Sequence, residues 1–358
     1  MELNDLLHAA ADSRASDILL VSGAPPILRV DGDLRRTALD SLTPSSVEGM
    51  VYGRLSEAQA KLLRETGDLD YSLDVPRLGR FRFNAHRQRD TYAAAIRFIP
   101  NRIPTLEDLR LPKVIEYLTR LHQGLVLVTG QTGSGKSTTL AAMIERINQT
   151  MPLHVVTLED PIEFVFSHGQ AIVEQREVGA DCTSFASALR HVVRQDPDII
   201  FVGELRDLET ISTAISAAET GHLVFGTLHT TSAASTVDRL IDVFPAAQQP
   251  QIRAQLSESL RAVVSQRLLR RAGGSGRLAA VEVMMVTHAI QRCIRDQENH
   301  LIPGIIQTGR KFGMQSMEQA LSELHMAGLI DSNAIVEQGD LSEILEAYQA
   351  DLQAARQN

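Results

Sequence analysis

Eight consecutive residues, Gly130-Gln131-Thr132-Gly133-Ser134-Gly135-Lys136-Ser137, satisfy the pattern G-x-x-x-x-G-K-[ST] and stand between the apolar run Leu125-Val126-Leu127-Val128 and a helical segment. This combination cradles phosphates. Glycines let the loop wrap an anion without Cβ clashes, and the backbone N–H groups of Thr132, Gly133, Ser134 and Gly135 with the start of the following helix supply donors. Lys136 reaches the β- and γ-phosphates, Ser137 ligates magnesium and Thr138 extends the nucleotide-binding run, so ATP and Mg2+ are the expected cofactors. The chain has only four lysines, Lys61, Lys113, Lys136 and Lys311, and one of them lies in this loop.

Further along, Asp198-Ile199-Ile200-Phe201-Val202-Gly203-Glu204 reads as a buried strand ending in an acid. Side chains at the carboxyl ends of parallel strands line the ligand crevice, so Glu204 is expected to face the γ-phosphate, where a carboxylate polarises attacking water or helps Ser137 hold magnesium. The strand before it ends in Glu159-Asp160-Pro161-Ile162-Glu163, a second set of acids at the same edge that calls for an intervening cation. Two histidines follow, in Gly221-His222 and in Thr227-Leu228-His229-Thr230. A lone strand-end histidine is more often structural than catalytic, but His229 is the third successive strand terminus to carry an ionisable group, which suits a phosphate sensor.

Seven arginines, Arg77, Arg80, Arg82, Arg87, Arg89, Arg97 and Arg102, cluster upstream against the single acid Asp90 in that span. In Arg80-Phe81-Arg82-Phe83 strand alternation puts both rings on one face and both guanidinia on the other. Three readings fit: a solvated sheet face, arginine fingers supplied in trans to a triphosphate, or a nucleic-acid patch. The net charge of −9 disfavours the last.

The elements that position these groups fall into an α/β chain of two domains. Residues 1–99 read as α+β: a helix Leu3 to Ser13, strand-like runs Ile18–Val21 and Ile27–Val30 with a hairpin signal at Asp31-Gly32, a helix of about Thr43 to Thr66, and strands Phe81–Ala85 and Thr91–Ile99. Two prolines in Pro100-Asn101-Arg102-Ile103-Pro104-Thr105 mark a linker, 100–112. The ATPase core, 113–286, alternates short β-branched runs with helices, which indicates a parallel sheet covered on both faces. The region 287–358 turns helical, with Met314, Met317, Leu321 and Leu324 at helical spacing before Gly328, a stripe that reads as core packing. With 358 residues, 44% hydrophobic and 22% charged, the chain is globular. Cys182 and Cys293 offer neither a zinc site nor a disulfide framework and read as structural thiols in a reducing compartment. No apolar run reaches membrane-spanning length, so any membrane role is peripheral.

Taken together, these motifs resemble the secretion ATPase superfamily and, within it, the type IV pilus retraction ATPases (PilT family). The resemblance runs through Ser16-Asp17, Pro25-Pro26, Arg97-Phe98-Ile99-Pro100, Ile103-Pro104-Thr105-Leu106, the phosphate loop, Leu158 to Glu163, Val202-Gly203-Glu204, the two histidine motifs and Ile306-Gln307-Thr308-Gly309. It implies a PAS-like N-terminal domain, a RecA-like P-loop ATPase domain with a helical C-terminal extension, and a cytoplasmic homohexamer peripheral to the inner face of the cell membrane. It further implies engagement with an inner-membrane pilus platform protein and the other pilus-machinery ATPases, without direct nucleic-acid binding. By motif, Glu204 becomes the catalytic glutamate, Glu163 part of an acidic box, His222 and His229 a histidine box, and Arg80, Arg82 and Arg97 the nucleotide-contacting arginines. The connection from Arg271 to Arg277 is short and lacks the tetracysteine loop of extension and type II secretion relatives, which favours retraction. One departure is Ala289-Ile290-Gln291-Arg292-Cys293-Ile294, where the family shows Ala-Ile-Arg-Asn-Leu-Ile. Gln291 in place of that arginine leaves an accessory or specialised paralogue with altered coupling open; the alternatives overall are an accessory or extension/secretion-type ATPase of the superfamily, or an ATP-binding regulatory module without turnover.

Overall fold

The computed structural model describes residues 3–13, 15–30, 33–76, 78–99, 102–273 and 276–332. The chain divides into two compact units, 1–102 and 103–358.

In the first unit, helix α1 (Leu3–Asp12) buries Leu3, Leu6, Leu7 and Ala10, the i, i+3, i+4, i+7 stripe of an amphipathic helix. Six strands, β1 (Asp17–Val21), β2 (Ile27–Val30), β3 (Asp33–Arg36), β4 (Asp68–Val75), β5 (Gly79–Gln88) and β6 (Thr91–Ile99), form an antiparallel sheet in the order β3-β2-β1-β6-β5-β4. The turn expected at Asp31-Gly32 lies outside the described residues, although β2 and β3 pair antiparallel with Val30 opposite Asp33. Two strands are absent from the reading of apolar runs. Strand β3 is exposed throughout, and β4 buries only Leu69 and Tyr71 between aspartates.

The helix expected over Thr43 to Thr66 is two helices, α2 (Pro44–Tyr52) and α3 (Glu57–Thr66). Gly53 closes the first, and Ser56 sits in extended backbone with its hydroxyl accepting from the Gln59 N–H while Gln59 returns a bond to the Ser56 N–H. That reciprocal cap satisfies donors only at a helix start, so it cannot form in a helix interior. In β5, Phe81, Phe83 and Ala85 enter the core, and Arg80 and Arg82 take the opposite face.

The second unit contains α4 (Lys113–Leu118), β7 (Gly124–Thr129), α5 (Lys136–Thr150), β8 (His154–Glu159), β9 (Ile172–Glu177), α6 (Phe185–Val192), β10 (Ile199–Val202), α7 (Leu208–Glu219) and β11 (Leu223–Leu228). It continues with α8 (Ala233–Asp242), α9 (Gln249–Ser259), β12 (Leu260–Arg270), β13 (Arg277–Met285), α10 (His288–Asp296), α11 (Ile302–Thr308) and α12 (Met317–Met326). The sheet order is β13-β12-β7-β11-β10-β8-β9, parallel throughout except for the β12–β13 hairpin.

Every residue of β7, β10 and β11 is buried. Leu125 and Leu127 pack with helices α6 to α9 on one face, while Val126 and Val128 pack with Leu140, Met143, Ile144 and Ile147 of α5 on the other. Two-sided burial of this kind requires the continuous apolar runs that the sequence shows. The methionine and leucine stripe is core: Met314 joins the cluster around α8 and α10, and Met317 and Leu321 pack on Leu269, Leu278 and Ala280 of the hairpin. Gly328, at φ +66°, follows the Ala327 cap of α12. The rest of the expected C-terminal helical region, 333–358, lies outside the described residues. Cys293 is buried and Cys182 partly so, and burial pushes both thiols above their ordinary pKa, consistent with structural roles. Among the described residues no helix is long and apolar enough to cross a membrane.

Candidate active site

The carboxyl end of β7 runs directly into Gly130 and the loop that leads to α5. Gly130 has φ +144° and Gly135, the N-cap of α5, has φ +87°. A side chain at Gly130 would collide with the Gln266 carbonyl and the Ser134 hydroxyl, and one at Gly135 with the Gln266 amide, so both positions need glycine for conformation and for space. Thr132 and Gly133 are exposed on the loop, Ser134 is buried beneath it, and Lys136, Ser137 and Thr138 form the first turn of the helix.

Lys136 is 8% exposed, and its ammonium donates to the Gly130 carbonyl at 2.8 Å and the Gln131 carbonyl at 3.1 Å. Burial lowers its pKa, opposed by the carboxylates of Glu204 and Glu163. The Ser137 hydroxyl donates to Glu163 Oε1 at 2.9 Å. The turn after β8, which contains a cis Asp160-Pro161 bond, brings Glu163 across to that helix start.

Glu204 lies just beyond β10, where the Gly203 N–H donates to the Leu158 carbonyl and the Leu205 N–H to the Thr227 carbonyl. The Thr227 hydroxyl also donates to the Gly203 carbonyl. These bonds fix the residue between β8 and β11. Glu204 Oε1 meets His229 Nε2 at 3.0 Å and Oε2 meets Arg206 Nη2 at 2.6 Å. Burial pushes the Glu204 carboxyl up, but hydrogen bonding and charge from Arg206 and His229 outweigh it and leave the pKa below the ordinary value.

The structure places three of these groups apart from their grouping in the sequence. Glu163, not Glu204, contacts Ser137, while both Glu204 oxygens are occupied by Arg206 and His229. Of the acids at the end of β8, Glu159 is withdrawn from the edge: it is buried, accepts from the Thr157 hydroxyl at 2.7 Å and the Gln175 amide at 3.0 Å, and has its pKa raised by burial. Thr157 and Gln175 thus meet the Glu159 carboxyl, and among the described residues no group of three or more His, Cys, Asp or Glu side chains is placed to hold an ion. Finally, His222 precedes β11, bonds through Nδ1 to the Ala217 carbonyl at 3.0 Å, and lies at the strand's amino end, about 23 Å from His229 along an extended strand at 3.3 Å per residue. It is thereby separated from the sheet edge that carries the glycine-rich loop.

The arginines belong to the first unit. Arg80 meets Asp74 at 3.3 Å and Arg97 meets Asp17 at 2.9 Å, while Arg82 pairs in register with Arg97 on one side and Ser72 on the other. Reading of the sequence misses Arg206, although it lies two residues beyond Glu204, and Gln266, whose partners are remote in the chain.

Residues 105–335 match the family model described as type II/IV secretion system protein. The chain is 47% identical over 343 residues to the type IV pilus retraction ATPase PilT of Pseudomonas aeruginosa, spanning 96% of this chain and 99% of that one. It is 45% identical over 92% of its length to a twitching motility protein of Neisseria gonorrhoeae, covering 88% of that protein, and 38% identical over the same share to the Pseudomonas aeruginosa pilus ATPase PilU, covering 86%. A crystal structure of the pilus retraction motor PilT with bound ADP matches with a TM-score of 0.91 at 45% identity, over 97% of this chain and 99% of that one. The chain therefore belongs to the type II/IV secretion ATPases, within their PilT family of pilus retraction ATPases.

Proposed function

We propose that this protein is a homohexameric motor that hydrolyses Mg-ATP to power type IV pilus retraction. The observation that carries this reading is the meeting of Lys136, Ser137 and Glu163 with the Glu204–His229 pair at one sheet edge, in a chain that matches a retraction ATPase over nearly its full length.

Lys136 exchanges its two loop carbonyls for phosphate oxygens, trading neutral acceptors for charged ones. Glu204, held ionised by Arg206 and His229, accepts the proton of the attacking water at a carboxylate oxygen. His229 reports the γ-phosphate through its bond to Glu204. The Ser137 hydroxyl and Glu163 carboxylate form an oxygen donor set that suits magnesium. Magnesium, when bound, neutralises the charge that develops on the β- and γ-phosphates.

The first unit is read as a PAS-like domain and the second as a RecA-like core, with Arg80, Arg82 and Arg97 serving the nucleotide of a neighbouring subunit. Arg80 and Arg97 would exchange Asp74 and Asp17 for phosphate. A cytoplasmic location, docking on an inner-membrane platform protein and cooperation with other pilus ATPases follow from the resemblance. Steady-state hydrolysis measured against protein concentration, with mass determined in parallel and nucleic acid added to a matched set, tests the reading. Activity that rises with hexamer formation and ignores DNA is expected, and full activity as a monomer would overturn the trans arginines.

A further inference from the structure

Strand β12 reaches under the glycine-rich loop with a single buried amide. Gln266 is 3% exposed. Its Nε2 donates to the Ser134 carbonyl at 2.7 Å, 132 positions away in the chain, and its Oε1 accepts from the Thr139 hydroxyl at 2.8 Å. One side chain thus ties the buried Ser134 of the loop to the first turn of α5. One residue earlier, the Thr129 hydroxyl donates to the Ser265 hydroxyl at 3.0 Å, so β12 grips the end of β7 as well.

A buried amide must satisfy both of its ends, and here both partners lie on the loop–helix element that faces phosphate. We propose that Gln266 is a positioning residue that holds the loop in its phosphate-binding shape. The proposal rests on the nucleotide reading above and deepens it. In the structure Lys136 ties the loop internally through the Gly130 and Gln131 carbonyls, and these are the bonds it gives up when it engages phosphate. The Gln266–Ser134 bond makes no such exchange, so the loop keeps its curvature in both states. The close fit of Gly130 and Gly135 against Gln266 gives the same strand a steric hold.

The test compares Mg-ADP binding and steady-state KM and kcat for wild type, Gln266→Leu and Thr139→Val, with thermal melts of the unliganded proteins. Leucine keeps the volume and removes both bonds. The expected result is a Kd for Mg-ADP and a KM for ATP raised about tenfold with kcat changed less than about threefold, as for loss of binding common to ground and transition states, and an unliganded melt lowered by the Ser134 carbonyl and Thr139 hydroxyl left unpaired. A folded Gln266→Leu protein with wild-type Kd and KM would overturn the role. If that variant does not fold, Thr139→Val decides: freeing the amide from its hydroxyl donor raises Kd about threefold under the proposal, and an unchanged Kd rejects it. Wild-type protein that fails to bind Mg-ADP would instead sink the nucleotide reading and this role with it, a distinct outcome because no variant is needed to see it.

Discussion

Glu204 and His229, at the ends of neighbouring parallel strands β10 and β11, face each other with Oε1 and Nε2 3.0 Å apart, and Arg206 holds the second carboxylate oxygen. The pairing makes Glu204 an ionised acceptor with both oxygens oriented. Glu204→Gln keeps the shape and removes the acceptor charge. Hydrolysis is expected to fall about 10²- to 10⁴-fold with Mg-ADP affinity within a few-fold of wild type, and a normal turnover rate in that variant would end the base assignment.

The pH response follows from the direction of the Glu204 shift. Its folded pKa lies below the ordinary value, so the interaction contributes stability above that value and loses it as pH falls through the folded pKa. Arg206→Ala removes an opposing charge and should raise the pKa, moving the acid limb of the hydrolysis profile to higher pH. Profiles that superimpose for the two proteins would show that the arginine does not tune this carboxylate.

Lys136 shows the same sign of linkage from the opposite cause: burial disfavours its charged form, whereas bonding favours that of Glu204. The Lys136 pKa is lowered in the folded chain by burial, so the unfolded chain binds more protons between the two values and stability rises with pH there. Below that window the buried ammonium costs stability. Lys136→Met should therefore abolish nucleotide binding while raising the unliganded melting temperature at pH 7 by a few degrees. A lower melting temperature would mean that the bonds to the Gly130 and Gln131 carbonyls outweigh desolvation.

Glu282 of β13 accepts the N–H of Ala233, the first residue of α8, at 2.7 Å, and burial raises its carboxyl pKa. It thus anchors the segment that leads away from His229. Glu282→Ala should cost about 1–3 kcal/mol by leaving that donor unpaired. Glu282→Gln keeps an acceptor and should cost less. Wild-type stability is expected to drop as pH rises from the ordinary carboxyl value through the raised one, and Glu282→Gln should flatten that slope, as denaturant midpoints at several pH values will show.

The trans-arginine reading makes a mixing prediction. Arg82→Ala and Glu204→Gln proteins should each hydrolyse ATP poorly, while mixed rings regain activity where an intact arginine meets an intact glutamate. Mixtures no more active than the sum of the separate proteins would place both groups in one subunit's site or outside catalysis.

The sequence by itself determined the glycine-rich loop between β7 and α5, because Gly130 to Ser137 is contiguous and the strand and helix that flank it are written in adjacent residues. It also determined that Glu204 and His229 end buried parallel strands, since continuous β-branched runs specify two-sided burial and strand direction then places whatever follows at the carboxyl edge. By the same reasoning His222, which precedes β11, belongs to the other edge, and only the family resemblance groups it with His229. The break between α2 and α3 was also written locally, in Gly53 and the Ser56–Gln59 cap, beneath an apolar stripe that runs through both helices. Tertiary structure alone decided which acid meets Ser137, that Glu159 is buried against Thr157 and Gln175, and that Gln266 of β12 bonds both to the loop and to α5. Each of these depends on strand order and on desolvation. A linear pattern reports what a residue can bond to, whereas the sheet order β12-β7-β11-β10-β8 decides which partners come within reach and which charges survive burial.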